Sequence, residues 1–352
     1  MKTLKAGLIG FGLGGRVFHA PVLDFLEGFE LVKIRETKED KIKVIEERYP
    51  EVDIVSDSDA IINDPEIDLV AVIIPNKAHY SVGKAVLEAE KHLVIDKPFT
   101  VTTEEADELI ALAKEKNKKI FVFQNRRWDS DFLTVKKLIS EGKLGRIVEL
   151  ENHFDRFRNT LKENSWKEEG DLGTGLVYDL GSHLIDQAQV LFGLPNAVTA
   201  FMAKQRTNSN ITDNFELLLH YDDVKVTIKC GMLVKEPLPK YILLGEQGSF
   251  VKYGLDIQEA TLDKAEKPLS DADWGEEPEE QWGVIHYEEN GESIRKKVKS
   301  EAGNYPAFYE NVYQVITEGA EQKVKPEEAR NTIRIIELAI QSDEEKRTIP
   351  FS

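Results

Sequence analysis

Across its first 123 residues the chain alternates short apolar runs with amphipathic stretches rich in Glu and Lys. Such alternation predicts strands and helices taking turns, and hence a mostly parallel α/β sheet, because parallel neighbours need a long crossover between them. Strands are predicted at Lys5–Gly10, Glu30–Arg35, Ile54–Ser56, Leu69–Pro75, His92–Ile95 and Ile120–Phe123, with helices between. Leu69 to Ile74 is continuously apolar, as a central strand buried on both faces must be. Thr102 and Glu105 form a capping box before Ala106, Leu109, Ile110 and Ala113, which predicts a helix over Thr103–Lys116.

After Phe123 the pattern changes. A helix over Asp131–Glu141 is expected to stop at Gly142, and strands are predicted at Arg146–Phe154, Ala197–Lys204, Asp213–Tyr221, Val224–Gly231, Tyr241–Leu244 and Ser249–Tyr253. Links as short as Tyr221-Asp222-Asp223-Val224 call for hairpins, so this part reads as an α+β domain on an antiparallel or mixed sheet. Two late helices are predicted near Pro306–Glu318 and Pro326–Ser342. The expected division is therefore 1–123 and 124–352, with the last helices packing back on the first domain. Asp271–Glu280, with six acids and no base, reads as an exposed loop.

The chain's 46 Lys and Arg against 64 Asp and Glu give a net charge of −18, which argues against nucleic-acid partners and anionic membranes. No apolar run approaches the roughly 18 residues of a membrane helix. The single cysteine, Cys230, forbids an intrachain disulfide and sits in a strand-like run, where a buried inert thiol is expected. Met1 to Lys5 leads straight into a strand with no signal-peptide pattern, so a cytoplasmic protein is expected. His92, His153, His220 and His286 show no carboxylate or thiolate partners at ligand spacing, and no metal site is expected.

The first strand runs into Gly10-Phe11-Gly12-Leu13-Gly14-Gly15-Arg16. In Gly10-x-Gly12-x-x-Gly15 the first glycine permits a tight turn, the second lets backbone approach a pyrophosphate, and the third lets helix and strand pack closely. A helix N-terminus then offers N–H groups and a positive dipole end to an anionic dinucleotide, and Arg16 adds a cation. Glu36 lies 21 residues after Gly15, where an acid would bond a ribose 2′-OH and favour NAD. Thr37 and Lys38 follow at once, a hydroxyl and a cation suited to the 2′-phosphate of NADP. Both cofactors remain open on these residues.

Two more segments carry candidate chemistry. Asp96-Lys97-Pro98 follows the fifth predicted strand, at a carboxyl end where such sheets bind ligands. Tyr178-Asp179-Leu180-Gly181-Ser182-His183, if helical, puts Asp179 and His183 at i and i+4 on one face, where an acid can orient an imidazole.

Together with Pro75-Asn76 and His79, these motifs resemble the Gfo/Idh/MocA family of NAD(P)-dependent oxidoreductases, over almost the whole chain. Gly15-Arg16-Val17-Phe18-His19-Ala20-Pro21, Asn125-Arg126-Arg127-Trp128-Asp129 and the Tyr178–His183 stretch are most similar to its NADP-dependent scyllo-inositol dehydrogenase subgroup. The resemblance implies an N-terminal Rossmann domain, a C-terminal domain on a large open mixed or antiparallel sheet, and a homo-oligomer, dimer or tetramer. It implies hydride transfer between nicotinamide and a secondary alcohol or ketone of a cyclitol or sugar, with Lys97, Asp179 and His183 catalytic. An imidazole near neutral pKa suits proton transfer with the hydroxyl, and a lysine suits the developing alkoxide charge.

The expected cofactor residues are Gly10, Gly12, Gly14, Gly15, Arg16, Glu36, Thr37, Lys38, Pro75, Asn76, His79, Asp96, Lys97, Asn125 and Arg126, with NADP favoured over NAD by the resemblance. Arg156, Arg158, Trp166 and Tyr178 are the expected substrate-side residues. Asp96 stands where the family usually has Glu, and Arg35-Glu36-Thr37-Lys38 departs from the Ser-Arg pair of NADP users. Two alternatives stay open: a non-catalytic dinucleotide sensor on the same fold, and a reductase of another carbonyl or an imine.

Overall fold

The computed structural model describes residues 2–163, 165–264 and 269–351. The chain forms two compact units: Met1–Asn125, Glu259–Ala272 and Tyr305–Arg330 make one, and Arg126–Gln258, Asp273–Asn304 and Asn331–Ser352 the other.

The first unit holds six strands, β1 (Leu4–Ile9), β2 (Phe29–Arg35), β3 (Asp53–Val55), β4 (Leu69–Val72), β5 (His92–Ile95) and β6 (Ile120–Val122). Their order is β3-β2-β1-β4-β5-β6 and every neighbouring pair is parallel. The order reverses between β1 and β4, so ligands are expected outside the carboxyl ends there. β4 stops at Val72, short of the expected Pro75. Ile73 N still donates to Ile9 O at 2.8 Å, after which the chain leaves the sheet. The capping box forms: Thr102 accepts from Glu105 N, and the helix spans Thr103–Glu115.

The first unit runs to Asn125, and two later segments, Glu259–Ala272 and Tyr305–Arg330, return to it. Aromatic packing explains one of them. Phe308 meets Phe123 edge to face at 4.8 Å, Tyr309 meets Phe29 at 5.7 Å and Tyr305 meets Phe18 at 5.8 Å. Large rings buried this way dominate local core energetics. Of the two late helices, Pro306–Glu318 belongs wholly to this unit, whereas Pro326–Glu345 crosses the division at Arg330.

The second unit is built on nine strands: β7 (Ile147–His153), β8 (Ala197–Ala203), β9 (Asn214–His220), β10 (Lys225–Gly231), β11 (Tyr241–Gly245), β12 (Gly248–Lys252), β13 (Gly283–Glu289), β14 (Glu292–Val298) and β15 (Ile349–Pro350). They lie in the order β14-β13-β12-β11-β7-β10-β9-β8-β15. The sheet is mixed because β7 and β10 are parallel while the other pairs are antiparallel. β13 and β14 were outside the expected strands, since their polar residues hide the alternation. Their turn, Asn290-Gly291, has φ of 54° and 82°, the left-handed pair a tight hairpin requires.

Two readings of charged residues are corrected here. Glu277, in the acidic run read as an exposed loop, is buried and accepts from Lys252 Nζ at 2.7 Å. His153 does have carboxylate partners, Glu151 at 2.7 Å and Asp155 at 2.8 Å. Residues at i−2 and i+2 share one face of a strand, so extended backbone gathers all three.

His19, fully buried, pairs through Nδ1 with the Tyr309 hydroxyl at 2.7 Å and lies 4.1 Å from the Phe123 ring. Burial pushes its pKa down to about 4, against a weaker upward pull from Asp96. In the unfolded chain the imidazole takes a proton near its ordinary pKa of 6.5, so only the unfolded state binds that proton between pH 6.5 and about 4. Stability is therefore complete above pH 6.5 and falls with acid through that window, by roughly 3 kcal/mol from this residue. Urea unfolding at pH 7.5 and 5 should show a smaller loss in His19→Gln than in the wild type. An equal loss in both would remove His19 from the acid response.

Candidate active site

Ile9, the last residue of β1, pairs with Arg35 on one side and Val72 on the other. Gly10 and Glu36 thus leave the sheet at one level. Gly10 has φ of 105°, and a Cβ there would meet Ile73 O at 2.1 Å. A Cβ on Gly15 would fall 2.1 Å from Gly10 O, so only glycine lets the following helix pack this closely. A Cβ on Gly12 would meet nothing within 4 Å, leaving the outer side of the turn open for a pyrophosphate. Gly15–His19 is a π-helical turn running directly into the helix Ala20–Phe25. Such turns inside α-helices are often found at functional sites. Arg16, the expected phosphate cation, pairs with Asp263 at 2.6 Å on the helix Gln258–Lys264.

At the end of β2 the structure separates Glu36 from its neighbours. The Glu36 side chain is buried, with Oε1 accepting from Thr37 N at 2.8 Å and Lys38 N at 3.1 Å, and Oε2 3.1 Å from Lys41 Nζ. Burial raises this carboxyl, but those hydrogen bonds and Lys41 outweigh it and hold the pKa below the ordinary value. The acid is thus committed to its own chain. Thr37 and Lys38 are exposed, and Lys38 makes no ion pair among the described residues.

Beyond β4, Pro75 is half-buried and Asn76 buried. His79 was expected to line the cofactor cleft, which its placement corrects: it is fully buried, with Nδ1 2.8 Å from Pro98 O and Nε2 3.0 Å from Ile74 O. Asp96 and Lys97 follow β5, and Asp96 Oδ1 accepts from Lys97 N at 2.7 Å. Both are half-buried, at the same carboxyl edge as the glycine turn.

In the second unit, Val177–Gly181 is again a π-helical turn, continued by the helix Ser182–Phe192. Asp179 lies in the turn and the buried His183 in the helix. Polar side chains tie that helix laterally. Arg127 grips Asp186 with two bonds of 2.8 and 2.6 Å. Gln187 Oε1 accepts from Asn152 Nδ2 at 3.0 Å and Tyr241 Oη at 2.7 Å, and Gln189 Nε2 donates to Thr332 Oγ1 at 2.7 Å. Lys240, fully buried, donates to Asn152 Oδ1 at 3.0 Å, and burial pulls its pKa down to about 8.

Arg126 belongs to this unit, paired with Asp129 at 3.2 Å and stacked 4.8 Å from the Phe154 ring, while Asn125, in the first unit, is buried. Arg156 stacks on the same ring at 5.1 Å, Arg158 is exposed, and Tyr178 is buried. Trp166 opens a short helical turn, Trp166–Glu168, whose next two side chains are anchored. Glu168 takes two bonds from the buried Arg206, at 3.1 and 2.9 Å, and Lys167 reaches Asp179 Oδ1 at 2.8 Å. Lys167 is a candidate site residue that sequence reasoning missed. Only its place beside Trp166 marked it, since the contact depends on Arg206 some forty residues away.

Strand order, glycine turn and carboxyl-edge lysine define a dinucleotide-binding oxidoreductase fold of the Rossmann type. Residues 4–124 match the model for the oxidoreductase family's NAD-binding Rossmann fold, and residues 136–351 that for its C-terminal alpha/beta domain. The chain belongs to the Gfo/Idh/MocA oxidoreductase family. It is 41% identical over 347 residues to the uncharacterized oxidoreductase YdgJ of Escherichia coli (strain K12), covering 99% of this chain and 98% of that one. It is 40% identical over 349 residues to the scyllo-inositol 2-dehydrogenase (NADP(+)) IolW of Bacillus subtilis (strain 168), covering 99% and 96%. The solved structure of yvaA from Bacillus subtilis superposes with a TM-score of 0.95 at 39% identity, covering 100% and 99%.

Two glycine variants separate packing from binding. Gly15→Ala forces the turn apart and should cost roughly 1–3 kcal/mol of stability together with dinucleotide binding. Gly12→Ala should fold with unchanged stability, yet weaken binding by about tenfold or more, because its methyl enters the open side of the turn. Urea midpoints and cofactor fluorescence titrations report the two effects; wild-type affinity in Gly12→Ala would remove the turn from the binding site.

Proposed function

We propose that this protein is an NADP-preferring dehydrogenase that interconverts a secondary alcohol and ketone on a cyclitol or sugar ring. The observation that carries the reading is the Lys167-paired Asp179 one helical turn before the buried His183, in a chain that also keeps Lys97 beyond β5. A non-catalytic sensor has no need of all three.

When bound, the nicotinamide supplies the hydride acceptor. His183 takes the hydroxyl proton as the hydride leaves the carbon, and returns it in the reverse direction. Lys97 stabilises the oxygen while it carries negative charge. Asp179, with Lys167 beside it, orients the imidazole or binds a neighbouring hydroxyl. Because the alcohol loses one hydride and one proton, each oxidative turnover leaves a proton that His183 must pass to solvent. The NADP-dependent relative IolW, similar over nearly the full length, supports the cyclitol class.

A cyclitol and sugar panel with both cofactors, followed at the reduced nicotinamide band, tests this directly. His183→Ala and Lys97→Ala should each lower kcat by about 10²-fold or more on the best substrate. Undiminished turnover in both variants would sink the assignment.

The cofactor preference rests on Glu36, whose carboxylate is occupied by Thr37 N, Lys38 N and Lys41, and on Lys38, whose ammonium has no ion-pair partner among the described residues. Lys38→Ala should weaken NADP binding about tenfold and leave NAD affinity within about twofold. Equal effects on both cofactors would remove Lys38 as the discriminating cation.

A further inference from the structure

The buried ring of His79 meets a carbonyl oxygen at each nitrogen, Pro98 O at 2.8 Å and Ile74 O at 3.0 Å. Carbonyls only accept, and a neutral imidazole has a single N–H, so a neutral ring would set one lone pair against another. Only the imidazolium satisfies both contacts. Burial is the largest influence on this ring and holds its pKa below the ordinary value, while Asp96 and the backbone of Pro98, Ile74 and Phe99 act in the opposite direction. The geometry at both nitrogens favours the charged form, since losing the proton would leave a buried contact between two acceptors.

Asp96 supplies the opposite charge. Its Oδ1 accepts from Lys97 N at 2.7 Å, and its Oδ2 lies 3.1 Å from where a Cβ of Gly14 would stand. The carboxylate therefore rests against the glycine turn, where an anionic dinucleotide is to bind. Asp96 also acts on His19 and Tyr309, both fully buried, one pushed down to about 4 and the other held well above its ordinary pKa. Both are uncharged at neutral pH and offset nothing.

We propose that His79 is held as an imidazolium that offsets Asp96 beneath the glycine turn, while its two N–H groups fix the Lys97-Pro98 segment to the end of β4. His79 is thus a positioning residue with an electrostatic function: it keeps an anionic side chain next to the phosphate turn from opposing an anionic cofactor. The binding consequence rests on the dinucleotide reading above; the charge state of the ring does not.

Ring-¹⁵N-labelled histidine in the full-length wild type separates the two. Of the chain's 7 histidines, the signal missing from His79→Asn identifies His79. Two protonated nitrogens at pH 7.5 are expected for this ring, and one bare nitrogen would overturn the proposal. A double-variant cycle reads the electrostatic role. His79→Asn should raise the NADPH dissociation constant about tenfold beside Asp96, but less than about twofold in the Asp96→Asn background. An equal loss in both backgrounds would mean that the side chain only packs, and would overturn the electrostatic part. If the wild type binds neither dinucleotide, the proposed function fails while the ¹⁵N signals still decide the charge on His79.

Discussion

The register of β1 between β2 and β4 is the constraint on which the first unit depends. Because Ile9 pairs with both Arg35 and Val72, the glycine turn, the Glu36 corner and the end of β4 leave the sheet together. The close approach of Gly10 to Ile73 O and of Gly15 to Gly10 O follows from that shared level. Neither position tolerates a side chain, so the turn cannot relax into a looser one. The helix behind it is thereby fixed against β1, with its N-terminus following the glycine turn at the carboxyl edge. A register shift of one residue would exchange the side chains of the two faces, and because β1 and β4 are buried on nearly all of both, every exchanged side chain would have to repack.

The second unit holds its candidate chemistry by a different means. Its helix Ser182–Phe192 is tied by polar side chains from three directions, through Arg127, through Asn152 and Tyr241, and through Thr332. Each bond contributes modestly to stability, whereas a buried partner left unsatisfied costs more than the bond contributes. The network thus penalises every rotation of the helix that would swing His183 away. Lys240 extends the same logic into the core. A lysine enclosed by apolar rings holds its proton weakly, and its bond to Asn152 fixes the amide that in turn orients Gln187.

How much of this was legible in the sequence depended on the range of the interaction. Short-range signals read well: the capping box at Thr102, the C-terminal Gly142 with φ of 70°, the β9–β10 hairpin and the burial of Cys230 are all local patterns. Glu36 was visible as an acid in the right place, yet its side chain folds back onto Thr37 and Lys38, a choice that spacing does not encode. His79 was read as lining a cleft because it follows the fourth strand, whereas two backbone carbonyls claim its ring. Lys167 and Asp263 were missed for a common reason. Each acquires its role from a partner brought near by tertiary folding, and an exposed charged residue carries no local sign of that. The edge hairpin β13–β14 was hidden for the opposite reason, since an edge strand exposed along much of its length needs no apolar alternation.

The net charge of −18 acquires a physical meaning from these pairings. With carboxylates in excess, nearly every cation near the candidate chemistry finds one: Arg16 meets Asp263, Arg127 meets Asp186, Lys41 meets Glu36 and Lys167 meets Asp179. Such a molecule cannot attract an anionic dinucleotide by its overall field, which at this charge repels it. Under the function proposed above, affinity comes from groups whose charge the protein's own acids do not cancel, namely the N–H groups of the glycine turn and the exposed ammonium of Lys38. An acidic surface and a selective anion site are therefore compatible because the site is short-ranged. Salt, which screens the repulsion over about 8–10 Å, leaves hydrogen bonds made at contact nearly untouched.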